Sequence, residues 1–490
     1  MALENKTGDT VISSYRYELN AAGHRLSVTE DDGRQVSYTY DDLYRLTEEN
    51  INNGERVISY TFDKVGNRLT RNDSVEGITT YTYDDNDRLQ TEILSQNGTV
   101  IDTTTYTYDD NGNLIQQVKN GTEATTYTWN DDNRLVAVTT PEGNSVTYEY
   151  DDSGIRVSTT VDGETTEYLI DKNRAYAQVL EEFIDDELAV SYVYGHDLIS
   201  QTRAEDTSYY QVDGLGSTRV LTDELGNVTD TYDYDAFGNL IDSSGGTKNS
   251  YQFAGEQYDE NLDNYYLRQR YYDQQLGVLI SQDFFEGLTE VPRSLHKYAY
   301  VFNDPVNTTD PTGLFPAWLE GVFVHNFIGL HFVAQNASDH LSNRWIQTIL
   351  EERRSSAKAS YSEFNKRPDL IDISDQELYE IKTVREAAKG VAQLQGYVNI
   401  LNKYDPGWTM GTSYRPPSTA TVPTVGLIRI YEPTIVGSGY EGIVSYEKHQ
   451  NNNKFNLALA NSLIMAAQIT AIAALINRTQ TTAALTRGFI

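Results

Sequence analysis

Tyr60-Thr-Phe-Asp-Lys-Val-Gly-Asn-Arg-Leu69 and Tyr106-Thr-Tyr-Asp-Asp-Asn-Gly-Asn-Leu114 are two copies of one phrase, and Tyr38-Thr-Tyr-Asp-Asp-Leu-Tyr-Arg-Leu46 is a third. An aromatic-x-aromatic triplet is followed by an acid, then a polar turn, then in most copies Arg-Leu or Asn-Leu. The second aromatic recurs at Tyr17, Tyr40, Phe62, Tyr83, Tyr108, Trp129 and Tyr150, at intervals of 23, 22, 21, 25, 21 and 21 residues. Alternating Thr, Tyr and Val with Asn-Gly or Asp-Asn turns spell strand, turn, strand, so each repeat is one hairpin. A lone hairpin cannot bury its aromatic face, and the repeats must therefore line up side by side in a long sheet. The Asp-Asp pairs fall at turns, where capping of backbone N–H groups is favoured over metal binding.

The chain has 490 residues and a net charge of -34, too long for one ordinary core. The charge is uneven: residues 315–490 hold 16 Lys+Arg and 15 Asp+Glu, leaving 22 and 57 for residues 1–314. So acidic a repeat region repels nucleic acid, and nucleic-acid binding is excluded as its task. The near-neutral remainder can carry a local basic cleft, for which Arg353, Arg354, Lys358, Lys366 and Arg367 are candidates. There is no cysteine, hence no disulfide framework and no thiolate zinc site. The N-terminus lacks the apolar core of a signal peptide, so the expectation is synthesis in the producer cytoplasm and export by a dedicated machine. Residues 456–476 are apolar and Ala-rich, but Asn461, Ser462, Gln468 and Thr470 interrupt them, which favours a buried helix over a membrane span.

The repeats resemble the YD repeats of the Rhs family. The resemblance continues through Tyr210-Gln-Val-Asp-Gly-Leu-Gly-Ser-Thr-Arg219, Tyr234-Asp-Ala-Phe-Gly-Asn239, Phe253-Ala-Gly-Glu-Gln-Tyr-Asp259, Tyr265-Tyr-Leu-Arg-Gln-Arg-Tyr-Tyr-Asp273 and Asn303-Asp-Pro-Val-Asn-Thr-Thr-Asp-Pro-Thr-Gly-Leu314, which are similar to the Rhs-associated core. It implies a mostly β YD-repeat shell (a β-cocoon) at 1–205, the core at 206–314, and an enclosed toxin domain at 315–490. It also implies that the core is an aspartyl-type self-protease cutting after Asp-Pro-x-Gly-Leu, here between Leu314 and Phe315, with Asp259, Asp273 and Asp283 as the matching acids. Turn capping is the competing role for these acids. Tyr258, Gln274 and Val278 depart from the family's usual Arg, Pro and Arg.

After Leu314 the pattern changes. Residues 316–333 and 339–358 have helical spacing, the second stretch capped by Ser338. In Asp369-Leu-Ile-Asp-Ile and Leu378-Tyr-Glu-Ile-Lys, apolar residues alternate with charged ones around Ser374-Asp-Gln-Glu, which reads as a β-hairpin. With the turn at Asp375-Gln376, residue 371 faces 380 and 369 faces 382, placing Asp369, Glu380 and Lys382 on one face. A turn one residue longer would set Asp372 opposite Glu380 instead. Two converging carboxylates are costly unless a divalent cation neutralises them, and hard oxygen ligands suit Mg²⁺, or Mn²⁺. Lys382, two residues from Glu380, is placed to orient or deprotonate an attacking water. A helix over 384–402 and a strand over 425–431 follow.

The hairpin resembles the PD-(D/E)XK nuclease superfamily, through Pro368-Asp369 and Glu380-Ile-Lys382. Gln393-Leu-Gln-Gly-Tyr397 is similar to the Gln-x-x-x-Tyr element of its RecB-like branch, and Gly321-Val-Phe-Val-His325 to a preceding Gly-x-x-x-His, with Glu320 beside it and Glu351 and Glu352 as rival first-helix acids. The resemblance implies an α/β restriction-endonuclease-like domain in which Asp369 and Glu380 bind metal, Lys382 positions water, and Gln393 and Tyr397 hold the site or the substrate strand. Together the two resemblances imply an antibacterial Rhs toxin with a Mg²⁺-dependent nuclease that cuts nucleic acid, DNA being the expected substrate with RNA left open, a cognate immunity protein, and delivery into a target-cell cytoplasm by machinery such as type VI secretion. The rival expectations are a non-enzymatic YD-repeat adhesin and a membrane-acting toxin using residues 456–476.

Overall fold

The computed structural model describes residues 1–314 apart from 175, 196, 286 and 288–291, and beyond them 316, 332, 340–342, 368–372, 376–383, 387–404, 406–410, 419–422, 426–431 and 443–448. The chain divides into two compact units, Met1–Ala317 and Trp318–Ile490. His325, Phe315, Glu320, Glu351, Glu352, the basic residues Arg353 to Arg367 and the apolar stretch 456–476 lie outside the described residues. Among those described, no helix is long and apolar enough to cross a membrane.

In the first unit 23 strands, from Ala2–Thr7 to Leu240–Ser244, form one sheet in which each strand pairs antiparallel with its neighbours in sequence. The sheet runs on past residue 205, so strands such as Asp206–Val212 and Val228–Tyr234 continue the repeat architecture.

The repeated phrase explains the sheet residue by residue. The first aromatic of the triplet is buried at Tyr15, Tyr60, Tyr81, Tyr106, Tyr127 and Tyr148 and half-buried at Tyr38. The middle residue points to the other face, where Thr61 meets Thr70 and Thr82 meets Thr91 through hydroxyl pairs of 2.7 and 2.6 Å. A β-bulge separates the middle residue from the second aromatic in successive repeats. In four repeats that second ring sends its polar head to a carbonyl 15 residues earlier: Tyr40 Oη to Arg25 O at 2.7 Å, Tyr83 Oη to Arg68 O at 2.9 Å, Trp129 Nε1 to Leu114 O at 2.7 Å and Tyr150 Oη to Leu135 O at 2.7 Å. Trp replaces Tyr at 129 without loss because both donate. The acid that follows is a turn cap: Asp84 Oδ1 accepts the N–H groups of Asn86 and Arg88, and its Oδ2 accepts Arg88 Nε at 2.7 Å. Burial would raise the Asp84 pKa, but these hydrogen bonds hold it below its ordinary value. Leu46, Leu89, Leu114 and Leu135 then enter the core.

The sheet turns back so that its first strands meet its last ones. Arg219 Nη2 reaches Glu30 at 2.9 Å, Gly214 N donates to Tyr17 Oη at 2.7 Å, and Ala236 N donates to Glu49 at 2.9 Å. A small four-stranded sheet, Gln257–Asp259 to Val278–Leu279, is packed on both faces. Tyr265 and Tyr272 join one tyrosine-rich core with Tyr192 and Tyr210, while Tyr266 and Tyr271 join another with Tyr106, Tyr127 and Tyr148. The period-two alternation of a strand thus divides paired tyrosines between two cores.

In the second unit the strands His340–Ser342, Leu370–Asp372, Glu377–Thr383, Ile443–Lys448, Gly426–Tyr431 and Thr419–Val422 lie in that order, with Thr409–Met410 pairing on Glu377–Thr383. Glu377–Thr383 pairs antiparallel with Leu370–Asp372 but parallel with Ile443–Lys448. The helix Ala387–Tyr404 places Leu394, Tyr397, Val398 and Leu401 against Ile371, Leu378 and Trp408, an i, i+3, i+4, i+7 stripe. The helix expected over 339–358 is corrected at 340–342, which form a strand because Leu370–Asp372 offers them an open edge to pair with.

Candidate active site

The hairpin register differs from both expected ones. Leu370 pairs with Tyr379, Ile371 with Leu378 and Asp372 with Glu377, so 371 does not face 380, nor 369 face 382, and Asp372 does not face Glu380. The pairing closes at Asp372 and Glu377, and Gln376 takes a positive φ of 56°. The physical reason is the apolar pair: Ile371 and Leu378 meet cross-strand under the helix and are both buried. The shift from the expected pairing is two residues, which preserves the face, so Asp369 and Glu380 still converge. Asp372 is buried on the opposite face.

Asp369 Oδ2 accepts the Ile381 N–H at 2.8 Å. Glu380 is 1 % exposed, and its Oε1 accepts Lys382 Nζ at 2.8 Å and Gln393 Nε2 at 2.6 Å. Gln393 Nε2 also donates to Tyr397 Oη at 2.7 Å, the i, i+4 pair bringing both to the hairpin. Lys382 Nζ lies 3.9 Å from Asp369 Oδ2. Among the described residues, Glu380 Oε2 is buried without a hydrogen-bond partner. Burial, and then the Asp369 charge, push the Glu380 carboxyl up to about 8, with Lys382 opposing. Only when one of the two acids is protonated can Oε2 and Asp369 share a hydrogen bond. The structure thus brings together Asp369, Glu380, Lys382, Gln393 and Tyr397. Two facing carboxylates, one with an unmatched buried oxygen, fit a hard divalent cation such as Mg²⁺ or Mn²⁺, which Asp369 and Glu380 would hold. Among the described residues no group of three or more His, Cys, Asp or Glu gathers for a metal.

The acids expected around Leu314 are dispersed. Asp259 is buried in an ion pair with Arg156 at 2.7 Å. Asp273 lines a cavity with Glu92 and Asp263. Asp283 does reach the segment: its Oδ2 accepts Arg270 Nη2 at 2.8 Å, and the same guanidinium nitrogen donates to Leu314 O at 3.2 Å while Arg270 Nε donates to Gly313 O. Arg268 holds the carbonyl of Pro311 at 2.6 Å. Asp310 Oδ1 accepts the N–H groups of Gly313 at 2.9 Å and Leu314 at 3.2 Å. Burial pushes the Asp310 carboxyl up to about 6, with Arg270 opposing and Asp283 adding to the rise. Burial likewise raises Asp283. Asp310 and Arg270 escaped the sequence reading, although both stand in the quoted motifs.

A two-sided picture of kinship accompanies this geometry. A family model described as Teneurin YD-shell matches residues 17–306, more than half of the chain, and the chain belongs to that family. Among curated proteins it is similar to the tRNA3(Ser)-specific nuclease WapA of Bacillus spizizenii, 33 % identical over 165 residues, covering 33 % of this chain and 7 % of that protein. The tRNA nuclease WapA of Bacillus subtilis is 32 % identical over the same shares. The double-stranded DNA deaminase toxin A of Burkholderia cenocepacia is 29 % identical over 132 residues, 25 % of this chain and 9 % of that protein. The chain thus spans less than a tenth of the length of these relatives. Among solved structures, TcdB2-TccC3 matches at 18 % identity and a TM-score of 0.33, over 62 % of this chain and 20 % of that one.

Proposed function

We propose that this YD-shell protein is a toxin whose second unit is a metal-dependent phosphodiesterase acting on nucleic acid. The observation that carries the reading is the buried Glu380 carboxylate, with one oxygen unmatched, meeting Asp369 and Lys382. A bound divalent cation would supply neutralisation of the paired carboxylates and of charge on a phosphate oxygen. Lys382, fixed by Glu380, donates to the attacking water and orients it. Gln393 clamps Glu380 Oε1, leaving Oε2 turned to Asp369, and Tyr397 holds Gln393 in place. DNA is the first substrate to test, and tRNA stands beside it because the WapA relatives are named tRNA nucleases. A cognate immunity protein and a delivery machine belong to the same reading.

The test is the integrity of plasmid DNA and of tRNA incubated with the purified chain and with residues 315–490, in Mg²⁺ and in EDTA. Cutting that needs the metal and disappears in both Glu380→Ala and Lys382→Ala supports the proposal. Intact substrates with a folded protein refute it.

The Arg270 contact with the Leu314 carbonyl favours a second reading, self-cleavage between Leu314 and Phe315. Arg270 polarises that carbonyl. One carboxyl of the Asp283 and Asp310 pair takes a proton from water as the other donates one to the leaving nitrogen, so the peptide bond gives a Leu314 carboxylate and a Phe315 amine. Mass spectrometry of the purified chain reads the outcome: two fragments in the parent, one uncut chain in Asp283→Asn and Asp310→Asn. An uncut parent would end this reading.

A further inference from the structure

Asp273, singled out in the sequence and set apart from Leu314 by the fold, lines a cavity of about 430 Å³ in the first unit. This size falls within the range of small-molecule sites. Its walls include Tyr81, Tyr106, Glu92, Asp263 and Gln274. The basic residues at its rim are already engaged, Lys119 with Asp102 at 3.0 Å and Arg71 with Glu76 at 2.8 Å. Among the described residues Glu92 accepts a phenol alone, from Tyr106 at 2.7 Å, and Asp263 accepts a phenol and amides, from Tyr258, Gln274 and Gln275. Burial, then the Asp263 and Glu92 charges, push the Asp273 carboxyl up to about 7. Gln274 is 4 % exposed, and among the described residues its Oε1 has no hydrogen-bond partner. Its two lining cations, Arg71 and Lys119, being already paired, the cavity holds a surplus of acceptors over free donors.

A second cavity, of about 250 Å³, shares the Asp263 and Asp273 walls and continues past Tyr127 to Glu142 and Glu260. Acceptors distributed over the walls of two cavities that share lining residues, with phenol rings among them, do not suit a metal ion, and among the described residues no three acids gather for one. They suit a flexible chain with ammonium groups at intervals and methylenes between, the methylenes lying on the rings and the ammonium groups attracted to ring faces.

We propose that this cavity binds an aliphatic polyamine, with Glu92, Asp263 and Asp273 receiving its ammonium groups. The proposal is independent of the reading of the second unit. The experiment is isothermal titration of the full chain with spermidine in 150 mM NaCl, for the parent, Glu92→Gln, Asp273→Asn and Asp152→Asn, whose side chain is 82 % exposed. A chain of charge -34 collects cations loosely over its whole surface, so the expected result is one saturable site. Binding should weaken at least tenfold in Glu92→Gln and in Asp273→Asn, and stay unchanged in Asp152→Asn. Circular dichroism checks the folding of each variant, and Glu92→Gln, whose amide oxygen can still accept from Tyr106, decides alone if Asp273→Asn does not fold. Absence of a saturable site in the parent, or equal affinity in the parent and Glu92→Gln, overturns the proposal.

Discussion

Replacing Glu380 by Gln removes a buried charge and leaves its neighbours satisfied. The amide oxygen can still accept from Lys382 and Gln393, and the amide nitrogen supplies the donor missing at the Oε2 position, facing Asp369. A carboxyl displaced from 4.5 to about 8 carries about 3 kcal/mol of unfavourable burial at pH 7, taking roughly 1.36 kcal/mol per unit. Because the proton is coupled to Asp369, E380Q should recover about 1–3 kcal/mol of that. The sign follows from the direction of the shift: a raised carboxyl weakens the fold as pH rises through its folded value, so the gain is largest at pH 8 and closes towards pH 5. Scanning calorimetry in EDTA measures it, with Trp408, buried beside Leu394 and Leu401, as a fluorescence reporter of the same unit. Mn²⁺ should then raise the transition of the parent and leave E380Q nearly unmoved. A lower transition for E380Q in EDTA at pH 7.5, or equal stabilisation of both proteins by Mn²⁺, would falsify the account of this site.

Other outcomes follow from the first unit. Trp129→Phe loses the Nε1 bond to Leu114 O and should be about 1 kcal/mol less stable than Trp129→Tyr, as read by denaturant titration. Leu46→Ala empties a site that is 0 % exposed and should cost about 2–5 kcal/mol by the same measurement. Gly313 has a φ of +71° and a Cβ there would lie 2.6 Å from Leu267 O, so Gly313→Ala should displace the Leu314 carbonyl from Arg270, seen as faster amide exchange over 310–314. Glu49, pushed up to about 8 by burial and Asp235, and Glu256, pushed up to about 7 by burial against Arg268, are both raised. The melting temperature of the first unit should therefore rise as pH falls from 8.5 to 6.5, and a flat profile would contradict these environments.

The one-hairpin repeat, its buried first aromatic and its capping acid were legible in Tyr60-Thr-Phe-Asp and its copies, because these are consequences of strand alternation and turn chemistry within about ten residues. The same local reasoning placed Gln393 and Tyr397 one helical turn apart and put Asp369, Glu380 and Lys382 on one face. The hairpin register was not legible. Strand alternation does not say which residue of a face lies opposite Glu380, and turn length left a one-residue slip open; Ile371 and Leu378, packing under a helix that follows them in the chain, set the pairing that brings Asp369 rather than Asp372 to Glu380. Tertiary structure alone also separated Asp259, Asp273 and Asp283, which share similar turn contexts in sequence. Arg156 captured the first and an acidic cavity the second, while Arg270 held the third at Leu314, with Asp310 brought in from 27 residues away. Such pairings depend on which distant strands meet when a long sheet turns back on itself, and short-range spacing carries no record of that closure.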